Sequence, residues 1–397
     1  MTDLRPTPPA ASVFRPSPDP VGEGQPDTAK ETANASQRLE WLDICRGLTI
    51  ILVVLHHVTG AGLDHAPTGG KLYFAVLSVN RVTQLVVPTF LFLSALVFAL
   101  SPLSRFSWQR YLSSRARQLL WPYVLWTALY LGFKILTGVG PEAGERLAAF
   151  WNPGLLQGKG YFHLYYLLLA LQVALLLPFI RLLLVRGWGQ DAQGQGRRPL
   201  HLGWVALGAA ALQLGIYFVN LRVWHLNNVG VLSLWYVLPL VMGASLGAWP
   251  ERFTALWASR KGWLLAACAL ALALYLPLGF AEVLHRPLNV LAYTAGNWAY
   301  TVLAALVLSG LSVELLRRAT PLGEKLRHLL GRLGQLSLQV YLLHPMLLWG
   351  LDRLAYPKPA VLQVLLVVLY TALGVGLPLA FARLIEGRRL SVWLFGR

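Results

Sequence analysis

The chain is 397 residues long, 56% hydrophobic and only 13% charged, with a formal net charge of +17; it is too apolar for a water-soluble globular protein and suited to a bilayer. Its basic residues sit in short clusters between apolar runs, where they set membrane orientation rather than bind nucleic acid. Cys45 and Cys268 are the only cysteines and lie in or beside apolar runs, which argues against a disulfide framework and a cysteine-built metal centre; both read as small core residues and no metal site is expected.

Residues 1–37 hold seven prolines among Gly, Ser, Thr and mixed charge, with no apolar stretch. They read as a disordered cytoplasmic tail that can neither build a core nor act as a secretory signal. Beyond it come apolar runs of the length needed to cross ~30 Å of hydrocarbon, at 45–63, 83–100, 118–138, 161–184, 201–219, 230–249, 263–281, 294–315, 334–351 and 360–384. The expected fold is thus an all-α polytopic transmembrane bundle of about ten spans over 38–390, with a short C-terminal tail at 391–397. Most of the 34 lysines and arginines fall on one side of this arrangement, so an even number of spans with both termini cytoplasmic is expected. The longest loops, near 64–82, 139–160 and 316–333, are too short to enclose a core of their own. Gly243 and Gly247 have the small-xxx-small spacing of a helix-packing contact. No internal repeat of the kind common in transporters is evident.

The segment RLEWLDICRGLTIILVVLHHVTG, Arg38 to Gly60, places ionisable groups in an aliphatic helix, and such groups need a reason to be in hydrocarbon. Arg46 and His57 are eleven residues apart, about three turns, so they share nearly one face, roughly 16 Å apart along the axis, with Asp43 on the same stripe. With Arg46 at the cytoplasmic end, His57 is about halfway through the bilayer. A neutral imidazole there accepts a proton from a hydroxyl, while an interfacial guanidinium grips phosphate or carboxylate. The competing reading makes Arg46 a membrane anchor and His57 a helix-packing hydrogen bonder. His56, about 100° round the helix, reads as structural.

With Leu42, Asp43, Arg46, Gly47 and His57 in place, the sequence from Arg38 onward resembles the membrane acyltransferase-3 family of bacterial and animal O-acyltransferases. The resemblance implies that His57 is essential for acyl transfer and that Arg46 helps hold the acyl donor. The segment YLSSRARQLLWPY is similar to that family's paired-arginine motif: Arg115 fits the first position, the second falls on Gln118, and Arg117 stands one residue early, leaving Arg115 and Arg117 as donor-binding candidates. YFHLYYLLLALQVALLLP, from Tyr161, resembles its His-Leu-aromatic segment without the glutamate found in members that acylate cell-surface sugars. His163 there is expected at the outer mouth, facing either the acceptor or solvent. LGQLSLQVYLLHPMLLW, from Leu333, resembles its Ser-Leu-x-x-Tyr-Leu-x-His-Pro segment, with Tyr341 and His344 on one helix face, lining the His57 cavity or bonding between helices.

The resemblance implies a multi-pass enzyme of the cytoplasmic membrane that takes an acyl group, acetyl being the expected one, from acyl-CoA as co-substrate to a hydroxyl of a carbohydrate or glycolipid acceptor, with no bound cofactor. Its expected partners are the lipid bilayer, the acyl-CoA and that acceptor. Two rivals stand beside it: a transporter or flippase of an anionic or glycosylated lipid, and an inactive scaffold of the same fold.

Overall fold

The computed structural model describes residues 27–66, 68–101, 106–186, 201–318, 320–353 and 360–396. Their α-helices run in chain order as α1 (Asp27–His65), α2 (Lys71–Val82), α3 (Val86–Leu100), α4 (Trp108–Arg115), α5 (Trp121–Leu136), α6 (Arg146–Ala149), α7 (Tyr165–Arg186) and α8 (Leu202–Val219). There follow α9 (Val237–Ala248), α10 (Pro250–Val283), α11 (Val290–Arg317), α12 (Pro321–Gln335), α13 (Ser337–Asp352), α14 (Ala360–Leu384) and α15 (Arg389–Phe395). No strand occurs among the described residues, as expected for a chain that must satisfy its backbone inside hydrocarbon. Residues up to Leu39 form one unit and Glu40–Arg397 another.

Among the described residues all ten expected runs are helical, and eight helices are long and apolar enough to cross a membrane. The two shorter ones, Ser233–Ala248 and α13, are 16 residues each, about 24 Å at 1.5 Å per residue. Three expectations change. The tail assigned to 1–37 turns helical at Asp27, just after its last proline, where DTAKETANAS offers no helix breaker; the rest of it lies outside the described residues. The loop assigned to 64–82 holds α2, so the second span runs from Lys71 to Leu100; Asn80 and Arg81 had broken its apolar pattern in sequence. The C-terminal tail assigned to 391–397 is helical up to Phe395, whose side chain is fully buried.

In lipid, helices associate by close packing rather than by burial from water, and glycines mark the tightest crossings. A Cβ at Gly243 or Gly247 would strike the carbonyl oxygens of Phe92 or Leu96, so α9 lies directly against α3, as the spacing predicted. A Cβ at Gly47 would strike the Leu330 carbonyl and one at Gly334 the Asp43 carbonyl. This crossing of α1 and α12 is bare backbone on both sides and fixes the turn of α1 that carries Asp43 and Arg46. Buried phenols tie other helices together, with Tyr130 Oη donating to the Leu342 carbonyl at 2.7 Å and Tyr300 Oη to Val82 at 2.6 Å.

Candidate active site

The Arg46 end of α1 is held before it reaches any ligand. Arg46 Nη1 donates to Asp43 Oδ1 at 2.9 Å, one helical turn back, and Gln335 of α12 donates to the other Asp43 oxygen at 3.4 Å. Arg46 and Asp43 line a cavity of about 430 Å³ with Tyr111, Arg115, Gln118 and Ser337. Between α4 and α5 the chain makes a π-helical turn, Ala116–Leu120, a local widening often found at functional sites. Through it Arg115 and Gln118 both reach the cavity, whereas Arg117 is exposed and not part of the lining. The Arg115 guanidinium lies 5.0 Å from the centre of the Tyr111 ring, and its Nε is buried without a hydrogen-bond partner among the described residues.

About 16 Å further along α1, His57 enters a second cavity of about 350 Å³ together with His56, His163, Tyr166, Asn297 and Tyr341. Phe90, Tyr166 and Tyr341 line both cavities, so the arginine-lined space and the His57 chamber meet at these three rings. On its far side the chamber shares Tyr165 and Gly230 with a third cavity of about 380 Å³, edged by Gln157, Lys159 and Asn228.

Rings crowd the back of His57. His344 is stacked on it with ring centroids 5.4 Å apart, and Phe162 sits at 4.8 Å. His163 lies 5.8 Å from His344 and 5.0 Å from Tyr341; the Tyr341 hydroxyl donates to the His163 carbonyl. His344 Nδ1 is 3.1 Å from the Val340 carbonyl, and a carbonyl only accepts, so Nδ1 carries the hydrogen and Nε2 of the neutral ring is a lone pair. That Nε2 and both ring nitrogens of His163 are buried without a partner among the described residues. Buried polar atoms are nearly always satisfied, so these three nitrogens stand out in an otherwise apolar surrounding. Among the described residues no set of three His, Cys, Asp or Glu side chains is arranged to hold a metal ion.

The structure places each expected site residue. Asp43 is in the arginine-lined cavity, beside Arg46. Tyr341 stands at the junction. His163, expected at the outer mouth, is 1% exposed: the turn at 161–164 before α7 folds inward, and the exposed neighbour there is Phe162, 52% accessible. His344, expected on the cavity wall, is fully buried and is not part of the lining; it stands behind the rings of His57, His163 and Tyr341. Sequence reasoning did not mark Phe162, Tyr166 or Gln118 as site residues. Of these, the Tyr165–Tyr166 pair in an aliphatic run is a readable signal; Gln118 reads in sequence only as a departure from a motif.

A family model described as an acyltransferase domain matches residues 39–383, a range that contains Arg46 and Arg115 of the first cavity, the clustered His57, His163 and His344, and Tyr341. No curated protein and no solved structure matches the chain. With that match over most of its length, and helices built to cross a membrane repeatedly, the chain is a multi-pass membrane acyltransferase and belongs to the acyltransferase-3 family.

Proposed function

We propose that this acyltransferase takes an acyl group, acetyl in the first instance, from a coenzyme A thioester and transfers it to a hydroxyl of a carbohydrate or lipid-linked glycan, in the cytoplasmic membrane of the cell. The observation that carries this reading is the junction at Phe90, Tyr166 and Tyr341, where the cavity holding Arg46 and Arg115 meets the chamber holding His57. Arg46 uses one nitrogen on Asp43, and its remaining N–H groups, with those of Arg115, suit the donor's phosphates. The thioester then lies toward the junction.

His57 takes the proton from the acceptor hydroxyl as its oxygen attacks the thioester carbonyl carbon. The C–O bond forms, the C–S bond breaks, and the proton passes from the imidazole to the departing sulfur, giving an ester and free coenzyme A thiol. The cavities at either end of the chamber support donor and acceptor approaching from opposite sides of it.

The test is thiol release and label transfer by purified protein in nanodiscs, given labelled acetyl-CoA and candidate glycans. Label on a glycan supports the reading. Labelled lipid carried across reconstituted vesicles with no thioester consumed would replace it with transport. Arg115→Ala is expected to raise the KM for acetyl-CoA by about 10–100-fold, as for loss of a charge-assisted hydrogen bond of ~1.5–3 kcal/mol, with Arg115→Lys intermediate because it keeps charge but loses the planar fork. Arg117→Ala is expected to shift it by less than about threefold, in keeping with an exposed anchor. Equal effects at 115 and 117 would remove the π-helical turn from the account.

A further inference from the structure

The chamber holds a second histidine. His56 lies edge-on to His57, ring centroids 5.4 Å apart, and lines the same cavity, but it is braced from behind. Its Nδ1 is 3.2 Å from the Asn80 carbonyl oxygen and 3.0 Å from Thr83 Oγ1. The Thr83 hydroxyl hydrogen is already directed at the Val79 and Asn80 carbonyls, at 3.0 and 2.9 Å. Both neighbours of Nδ1 therefore accept, so Nδ1 carries the hydrogen and Nε2 of the neutral ring is an acceptor. The Asn80 amide donates to the His56 carbonyl at 3.0 Å and accepts from Arg81 at 3.0 Å, and Arg81 is paired with Glu282 of α10 at 3.0 Å. This chain of contacts fixes the position, ring orientation and tautomer of His56, more than a helix-packing role needs. No hydrogen bond among the described residues is recorded for its Nε2.

We propose that His56 is a specificity-determining residue of the acyl-transfer site: its Nε2 accepts a hydrogen bond from a second hydroxyl of the acceptor, beside the one that reacts at His57. The site thereby selects sugars bearing neighbouring hydroxyls over simple alcohols. A site built to bond a second hydroxyl rejects an acceptor lacking it, because a braced polar group is then left unpaired. The inference rests on the acyl-transfer reading and adds the class of acceptor.

Two isosteres separate the ring's nitrogens. His56→Asn puts an amide where Nδ1 was and leaves nothing at Nε2; His56→Gln does the reverse. Full-length protein in nanodiscs is given labelled acetyl-CoA with either methyl α-D-glucopyranoside or 1-propanol. Wild type is expected to label the glycoside and not the propanol. His56→Asn should raise the KM for the glycoside by at least about tenfold, with the KM for acetyl-CoA moved less than about twofold, while His56→Gln stays within roughly threefold of wild type for the glycoside. His56→Asn matching wild type, or His56→Gln failing as badly as His56→Asn, overturns the inference in favour of a purely structural histidine. Wild type labelling propanol as readily as the glycoside also overturns it. Wild type labelling neither sinks the acyl-transfer reading and the inference with it. Melting in nanodiscs accompanies each variant; should His56→Asn not fold, Thr83→Val loosens the brace while leaving Nε2, and an unchanged glycoside KM there overturns the inference.

Discussion

Replacing His57 with alanine is expected to lower kcat for acyl transfer by about 10²–10⁴-fold, the range over which a positioned general base acts, with the KM for acetyl-CoA nearly unmoved because the arginine cavity is untouched. The other histidines are badly placed to stand in. His344 is fully buried behind the chamber's lining rings and does not itself line it. His163 lines the chamber, but its ring is packed among Tyr130, Tyr341 and His344 with 1% of the residue exposed. His56 lines the chamber beside His57, but its ring is braced through Nδ1 on Asn80 and Thr83 and is not free to swing into the His57 position. Alanine also leaves an imidazole-sized space beside Phe162 and His344, so added imidazole should restore part of the rate if proton transfer is what was lost. The measurement is acceptor labelling with and without imidazole. Activity within about tenfold of wild type would sink the assignment, and a collapse of melting temperature alongside the rate would make His57 a packing residue.

Much of this site was legible because polar residues in an apolar chain stand out. Arg46 and His57 could be placed on one helix face from their spacing, and the structure keeps them in adjoining cavities. Tyr341 and His344 could be placed together for the same reason. What remained illegible depends on how the chain bends. A π-helical turn shifts the facing of every residue after Arg115, so a register read at 3.6 residues per turn could not show that Gln118 faces the cavity and Arg117 does not. The inward turn at 161–164 buries His163, which a straight helix would have left at the rim. The brace behind His56 joins α1, α2 and α10, residues more than 200 positions apart in sequence, and no local pattern carries such a contact. The last helix was illegible for the opposite reason: seven residues are too few to show a period.

That last helix gives the second large effect. Deleting 389–397 is expected to lower the melting temperature markedly and to raise the KM for acetyl-CoA. Phe395 is fully buried and stacked on Trp126, centroids 5.9 Å apart; losing a buried phenylalanine costs about 3–5 kcal/mol. The indoles of Trp121 and Trp126 donate to the Trp393 and Leu394 carbonyls at 2.6 and 2.8 Å, capping a helix end whose carbonyls have no partner within the helix; each such bond contributes roughly 1 kcal/mol. Gly396 closes the helix at φ 71° and approaches the Arg117 carbonyl so closely that any Cβ would strike it. The C-terminal helix therefore presses on the π-helical turn that brings Arg115 and Gln118 to the arginine-lined cavity. Its loss should loosen donor binding more than chemistry, giving about a tenfold rise in KM if some 1.4 kcal/mol of positioning is lost, with kcat changed less. Phe395→Ala should show the same pattern in weaker form. A fall in kcat with KM unmoved would place the effect away from the arginine-lined cavity, and an unchanged melting temperature would mean that the aromatic contact does not hold α5.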